Sequence, residues 1–103
     1  MVRALVTNAL DASAPEQMVE LRVRADSRLV HIEVADQGVG MSTAVLNRAT
    51  EPFFTTKEPG QGIGLGLFLV HTVVTSVGGQ LELRSNTGEG TCATLVLPAG
   101  AGT

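Results

Sequence analysis

The chain has 103 residues, 44% hydrophobic and 17% charged, with a formal net charge of −3, which fits one compact domain with a packed core and excludes general disorder. The acidic balance argues against a nucleic-acid partner, because no basic patch is present to meet phosphates. No apolar run approaches the roughly 20 residues needed to span a bilayer, and no signal peptide is visible, so any membrane attachment of a longer parent lies outside this chain.

Val2, Leu5, Val6, Ala9 and Leu10 recur at helical spacing, and the pattern predicts an amphipathic helix over residues 2–13, stopped near Pro15. Val19, Leu21 and Val23 alternate with Glu20, Arg22 and Arg24, as in a half-buried strand. A turn at Asp26-Ser27-Arg28 leads to a second alternating run, Val30, Ile32 and Val34, with His31 and Glu33 on its other face. Beyond the loop Asp36-Gln37-Gly38-Val39-Gly40, Ser42 can cap a short helix carrying Val45, Leu46 and Ala49. Residues 65–77 are apolar on nearly every side and end at Gly78-Gly79, which predicts a helix pressed on a sheet. Two further strands, 80–85 and 91–97, flank a turn at Asn86-Thr87-Gly88, and residues 99–103 are expected to fray after a domain spanning 1–98. Hairpins imply antiparallel pairing. The expected architecture is therefore α+β, a two-layer sandwich with helices on one face of a mixed, mostly antiparallel sheet.

Three local features carry chemistry. Gly60-Gln61-Gly62-Ile63-Gly64-Leu65-Gly66-Leu67 runs straight into a helix, where unpaired N–H groups and the positive end of the dipole suit phosphate. Taken alone, the same stretch also reads as a flexible loop. No Gly-Lys-Ser/Thr follows it and no strand precedes it, which excludes a P-loop and a dinucleotide fingerprint. Asp36, flanked by Gly38 and Gly40 after a strand, can accept a hydrogen bond from an exocyclic amine, although an ordinary Asp-Gly turn has the same residues. Asn8 is a poor helix former inside an apolar helix. Its amide oxygen suits Mg²⁺ beside phosphates, with Asp11 one turn later placed to support a metal-bound water; a satisfied buried Asn is the alternative.

In order along the chain stand Asn8-Ala9, Asp36-x-Gly38-x-Gly40, Glu51-Pro52-Phe53-Phe54-Thr55-Thr56-Lys57, Gly62-x-Gly64-Leu65-Gly66-Leu67 and Gly88-x-Gly90-Thr91. This ordered set resembles the asparagine, phenylalanine and glycine boxes of sensor histidine kinases, within the superfamily of ATPases that share the Bergerat-type ATP-binding fold, over residues from about 3 to 97. The Phe-Phe-Thr-Thr-Lys segment is similar to that of nitrogen- and redox-regulator kinases. The resemblance implies ATP and Mg²⁺ as cofactors, Asn8 as metal ligand and Asp36 as reader of the adenine amine. Gly38, Gly40 and Met41 would line the base, and Thr91 would reach it through water. Gly62, Gly64, Leu65, Gly66 and Leu67 would meet the phosphates, under a short lid of residues 57–62 from which Lys57 reaches the γ-phosphate. The implied partners are a histidine-bearing dimerisation domain, docked through the Phe pair, and a response regulator beyond it. The implied compartment is the cytoplasm, with which the lone Cys92 agrees.

Two departures from the family pattern bear on activity. Ala4 stands four residues before Asn8, where these families usually place Asn or Glu, which counts against water-directed hydrolysis and less against transfer to a histidine. The family's strand before the first helix is not in this sequence, so an open sheet edge and a twofold homodimer are expected. A non-enzymatic nucleotide- or partner-binding module and another ATPase or serine-directed kinase of the superfamily are the competing readings. His31, His71 and Cys92 are read as a solvated side chain, a surface helix residue and a small core residue, with no zinc site among them.

Overall fold

Two hairpins and two long helices account for most of residues 2–52 and 66–99, which the computed structural model describes. In chain order they are α1 (Val2–Ala12), β1 (Glu20–Ala25), β2 (Leu29–Ala35), the single turn α2 (Thr43–Leu46), α3 (Gly66–Ser76), β3 (Gln80–Ser85) and β4 (Thr91–Pro98).

Local chemistry ends each element near the predicted place. The Ser13 hydroxyl donates back to the Ala9 carbonyl at 2.7 Å and closes α1 ahead of Pro15. The Asp26 carboxylate accepts the Arg28 and Leu29 N–H groups at 2.7 and 2.8 Å, which turns β1 into β2. Those two N–H groups, Leu29 first, hold the Asp26 carboxyl below the ordinary carboxylate range. Ser42 caps α2 by accepting from Val45 N–H. The α3 helix ends in a Schellman motif: Gly79 N–H donates to Val74 O at 2.9 Å, Gly78 N–H to Thr75 O at 3.0 Å, and Gly78 takes the left-handed φ of 80° that the motif needs.

The sheet order is β1-β2-β4-β3, and all three pairings among the described residues are antiparallel. Each hairpin supplies one inner strand, and β2 meets β4 in the middle, with Val34 opposite Ala93 and Ile32 opposite Leu95. Alternation sets Ile32, Val34, Ala93, Leu95, Leu81 and Leu83 on one face, where they pack under Leu5 and Ala9 of α1 and Val70 and Val74 of α3. This is the expected two-layer α+β sandwich.

Two expectations are corrected. The β1 strand is exposed at every residue rather than half-buried, because the buried residues of α1 and α3 pack over β2, β3 and β4 and leave the edge strand uncovered. Cys92 lies half-buried on the face away from the helices, opposite Ala35 and Arg84, rather than in the core. Burial pushes its thiol up, with Glu33 adding to the shift, so it has little thiolate character. Ala99 N–H donates to the Arg28 carbonyl at 2.8 Å, extending the β2–β4 edge; residues 100–103 lie outside the described residues.

Leu95 is fully buried at the centre of the sheet, whereas Val23 is open to solvent on β1. Leu95→Ala should cost about 2–5 kcal/mol through lost transfer energy and a cavity. Val23→Thr should change stability by less than about 0.5 kcal/mol. Urea unfolding of both variants measures the contrast.

Candidate functional site

The β2–β4 pairing does not stop at the strand ends. Asp36 N–H donates to the Thr91 carbonyl at 2.9 Å, and Thr91 N–H returns to Asp36 Oδ1 at 3.2 Å. Gly38 N–H donates to the same Oδ1 at 2.9 Å. One carboxylate oxygen is thus held by two backbone donors. Among the described residues Oδ2 has no such partner, so the group is oriented with an acceptor to spare.

Ser85, the last residue of β3, is the hub of the neighbouring joint. Its hydroxyl donates to the Gly90 carbonyl at 2.8 Å and accepts Met41 N–H at 2.7 Å. With its single proton committed there, the 2.8 Å contact to Thr91 Oγ1 has Thr91 as donor. The Thr91 oxygen keeps its lone pairs for a further donor such as water. Sequence reasoning missed Ser85. The signal was a hydroxyl residue facing Thr91 across the hairpin, a cross-strand Ser–Thr pair.

The glycines of the 36–41 loop serve the backbone before they serve any ligand. A Cβ on Gly38 would strike the Ala12 carbonyl, a Cβ on Gly40 the Asn86 carbonyl, and a Cβ on Gly90 the Asp36 carbonyl. Gly40 and Gly90 also hold φ of 69° and 79°. Val39 N–H donates to Ala12 O at 3.3 Å, and Gly88 N–H to Val39 O at 2.8 Å. The loop is therefore wedged between the C-terminal end of α1 and the β3–β4 turn.

That wedge holds the C-terminal end of α1, one turn beyond Asn8, against the Asp36 loop. Asn8 is half-buried one turn before Ala12, beside the core-facing Leu5 and Ala9, and Asp11 is exposed near the helix end. Met41 is half-buried at the mouth of the loop. Gly66 and Leu67 open α3, so their N–H groups belong to the first turn, which has no partners inside the helix. Leu67 also packs against the core. Lys57, Gly62, Gly64 and Leu65, with the Phe pair and the lid, lie outside the described residues. A recess of about 240 Å³ shares Asp36 and Thr91 but opens among Ala35, Arg84 and Cys92, on the face away from the helices. It is separate from the α1–α3 side of the site. No group of three or more His, Cys, Asp and Glu residues that could hold a metal occurs among the described residues.

A family model for the histidine kinase-, DNA gyrase B- and HSP90-like ATPases matches residues 1–101. The sensor protein kinase FleS of Pseudomonas aeruginosa is 47% identical over 94 residues, which cover 91% of this chain and 23% of that protein. The sensor histidine kinase ZraS of Escherichia coli is 35% identical over 94 residues, covering 91% of this chain and 20% of that protein. The chain thus spans less than a quarter of either relative. Among solved structures, the mycobacterial sensor histidine kinase MprB superposes with a TM-score of 0.83 at 30% identity, over 94% of this chain and 68% of that one. Full-length ShkA in complex with AMPPNP gives 0.81 at 28% identity, over 94% of this chain and 20% of that one.

Gly40 and Gly88 have similar backbones, with φ of 69° and 81°, but nothing lies within 4 Å of a Cβ at Gly88. Gly88→Ala should therefore cost only the left-handed backbone, about 1–2 kcal/mol. Gly40→Ala adds a clash with Asn86 worth about 1–3 kcal/mol more. Thermal melts of the two variants should rank them in that order; equal losses would mean that the loop is not wedged.

Proposed function

The chain belongs to the histidine kinase-, DNA gyrase B- and HSP90-like ATPase family as the ATP-binding domain of a sensor histidine kinase, and on that premise we propose that it binds Mg-ATP and delivers the γ-phosphoryl group to a histidine on a separate dimerisation domain. The observation that carries this reading is the Asp36 carboxylate, fixed through Oδ1 by Gly38 and Thr91 and left with Oδ2 for a donor. The adenine amine is such a donor. Thr91 Oγ1 accepts a water that reaches the same base, and Met41 covers it.

At the other end of the nucleotide, the first-turn N–H groups of Gly66 and Leu67 would meet the phosphates, and the family resemblance assigns Gly62, Gly64 and Leu65 to them as well. The family resemblance would assign Lys57 to the γ-phosphate. Asn8 would supply one hard amide oxygen to Mg²⁺, and Asp11, one turn later on α1, would support a metal-bound water. The metal, when bound, neutralises charge on the phosphate oxygens. The domain thus works by positioning and charge.

Ala4 packs against the core and offers no base to activate water. A neutral imidazole needs none, because it already carries a lone pair. A partner bringing that imidazole to the start of α3 meets an exposed apolar row spaced four residues apart, Leu69 and Val73 on the helix and Val77 just past its end. We assign this row to docking. The reading implies a cytoplasmic setting, where ATP is present, and a response regulator downstream.

Mg-ATP in excess should stabilise the domain by RT ln(1 + [L]/Kd), about 2.7 kcal/mol at a hundredfold excess over Kd. Asp36→Asn keeps the Oδ1 acceptor but turns a donor toward the adenine amine. Its fold should survive while affinity for ATP falls roughly tenfold to a hundredfold, the cost of about 1–3 kcal/mol for one unmade hydrogen bond. Calorimetric titration measures this, and unchanged affinity would remove the adenine assignment.

Incubated alone with labelled Mg-ATP, the chain should take up no acid-labile phosphate, since neither His31 on β2 nor His71 within α3 has the setting expected of an acceptor. Label should pass to an added dimerisation domain from a sensor kinase. Asn8→Ala should abolish that transfer, and Val73→Arg should reduce it at least tenfold with nucleotide affinity unchanged. Transfer unaffected by Val73→Arg would move docking elsewhere.

A further inference from the structure

Alternation along three strands carries Asp36, Ser85 and Thr91 to the helix side of the sheet, just past the last core residues. Asp36 follows Val34 by two residues, Ser85 follows Leu83, and Thr91 precedes Ala93. The three polar side chains form a rim at one end of the core, and two of them, Asp36 and Thr91, are the ones assigned to the base.

The protons in this rim run in one direction. Ser85 Oγ lies 2.7 Å from Met41 N, 2.8 Å from Gly90 O and 2.8 Å from Thr91 Oγ1. Met41 N–H can only donate, and the Gly90 carbonyl can only accept. Gly90 is buried, and among the described residues no other donor reaches its carbonyl. Turning the Ser85 proton elsewhere would leave that oxygen unmet, which is costly in a buried place. The Ser85 proton therefore stays on Gly90, and the Thr91 proton points to Ser85. Thr91 Oγ1 is left as an acceptor only, beside Asp36 Oδ2, which also only accepts. Giving its proton away within a chain of hydrogen bonds also polarises the Thr91 oxygen into a better acceptor.

A hydroxyl by itself has no such polarity, because it can donate as readily as it accepts. Thr91 is already tied to Asp36 Oδ1 through its backbone N–H at 3.2 Å. Without Ser85, the Thr91 proton is free to turn toward the base or toward that carboxylate, where it competes with the adenine amine. On the reading of this site as an adenine pocket, we propose that Ser85 is a positioning residue for the nucleotide. It holds the Thr91 proton away from the base, so that the amine and the water beside it meet two fixed acceptors. Ser85 acts through Thr91 and not by contact with the base.

A double-mutant cycle on Mg-ATP affinity, measured by calorimetric titration, tests this. Ser85→Ala should weaken binding about tenfold, the size of one misoriented hydrogen bond. Ser85 also holds Met41 N–H, so part of any loss could come from a loosened loop. Thr91→Val removes the hydroxyl and leaves the bonds from Ser85 to Met41 and Gly90 in place. In the Thr91→Val background, Ser85→Ala can act only through the loop, and its effect should shrink to within about twofold. Equal losses in the two backgrounds would overturn the proposal and leave Ser85 with a structural role alone. Thermal melts without nucleotide check that each variant folds. Should Ser85→Ala unfold, Ser85→Cys takes its place, since its sulfur is a weak donor and acceptor, and the same coupling to Thr91 is expected. An unmodified chain that binds no Mg-ATP would remove the nucleotide reading itself, and this proposal with it. Binding that is weakened by Asp36→Asn but shows no coupling between Ser85 and Thr91 would overturn this proposal alone.

Discussion

The site rests on the double hydrogen bond between Asp36 and Thr91. Through it the central strand pair continues past Ala35 into the loop, so that a catalytic-looking carboxylate is held by sheet geometry rather than by a mobile turn. Because Oδ1 is occupied by two backbone donors, the group can rotate little, and its second oxygen faces a constant direction. An acceptor fixed before the ligand arrives costs less entropy on binding than one that must be ordered by it.

The glycines around this joint follow from the same constraint. Three backbones converge there: the end of α1, the 36–41 loop and the β3–β4 turn. Their carbonyl oxygens occupy the places where Cβ atoms of residues 38, 40 and 90 would lie. Ser85 completes the joint by satisfying a loop N–H and a turn carbonyl with one hydroxyl. The residues we assign to the nucleotide are thus also the ones that hold the domain closed at that end. Substitutions here act on folding and on binding together, and only a change such as Asp36→Asn, which keeps the clasp, separates the two.

The rest of the domain is thin. A chain this short buries few side chains completely, chiefly Leu95, Val34 and Val74, along the line where α1 and α3 cross the inner strands. The helices cover what they can reach, and β1 lies beyond them. Exposed apolar residues consequently fall in two separate places, the row on α3 and the edge strand β1. The first lies on α3 and the second on an edge strand of the sheet.

The sequence by itself determined the elements and the family. Period-3.6 and period-2 patterns placed α1, α3 and the four strands to within a residue or two, and Asp26, Ser42 and Gly78 marked their ends through bonds that span only a few residues. The order of Asn8, the Asp36 loop and the glycine loop resembled the boxes of sensor histidine kinases, and the family match over residues 1–101 agrees with it. Only the tertiary structure decided what covers what. The alternation in β1 is as regular as that in β2, yet β1 is exposed throughout while β2 is mostly half-buried with Val34 in the core, because burial depends on where the helices lie across the sheet. Cys92 read as core on composition and sits on the open face on register. Ser85 carried no local signature, since its importance comes from Met41 and Gly90, brought to it by the pairing of β3 with β4 and the return of the 36–41 loop. Local hydrogen bonds and side-chain periodicity are written in consecutive residues, whereas coverage and long-range polar partners depend on how separate segments pack.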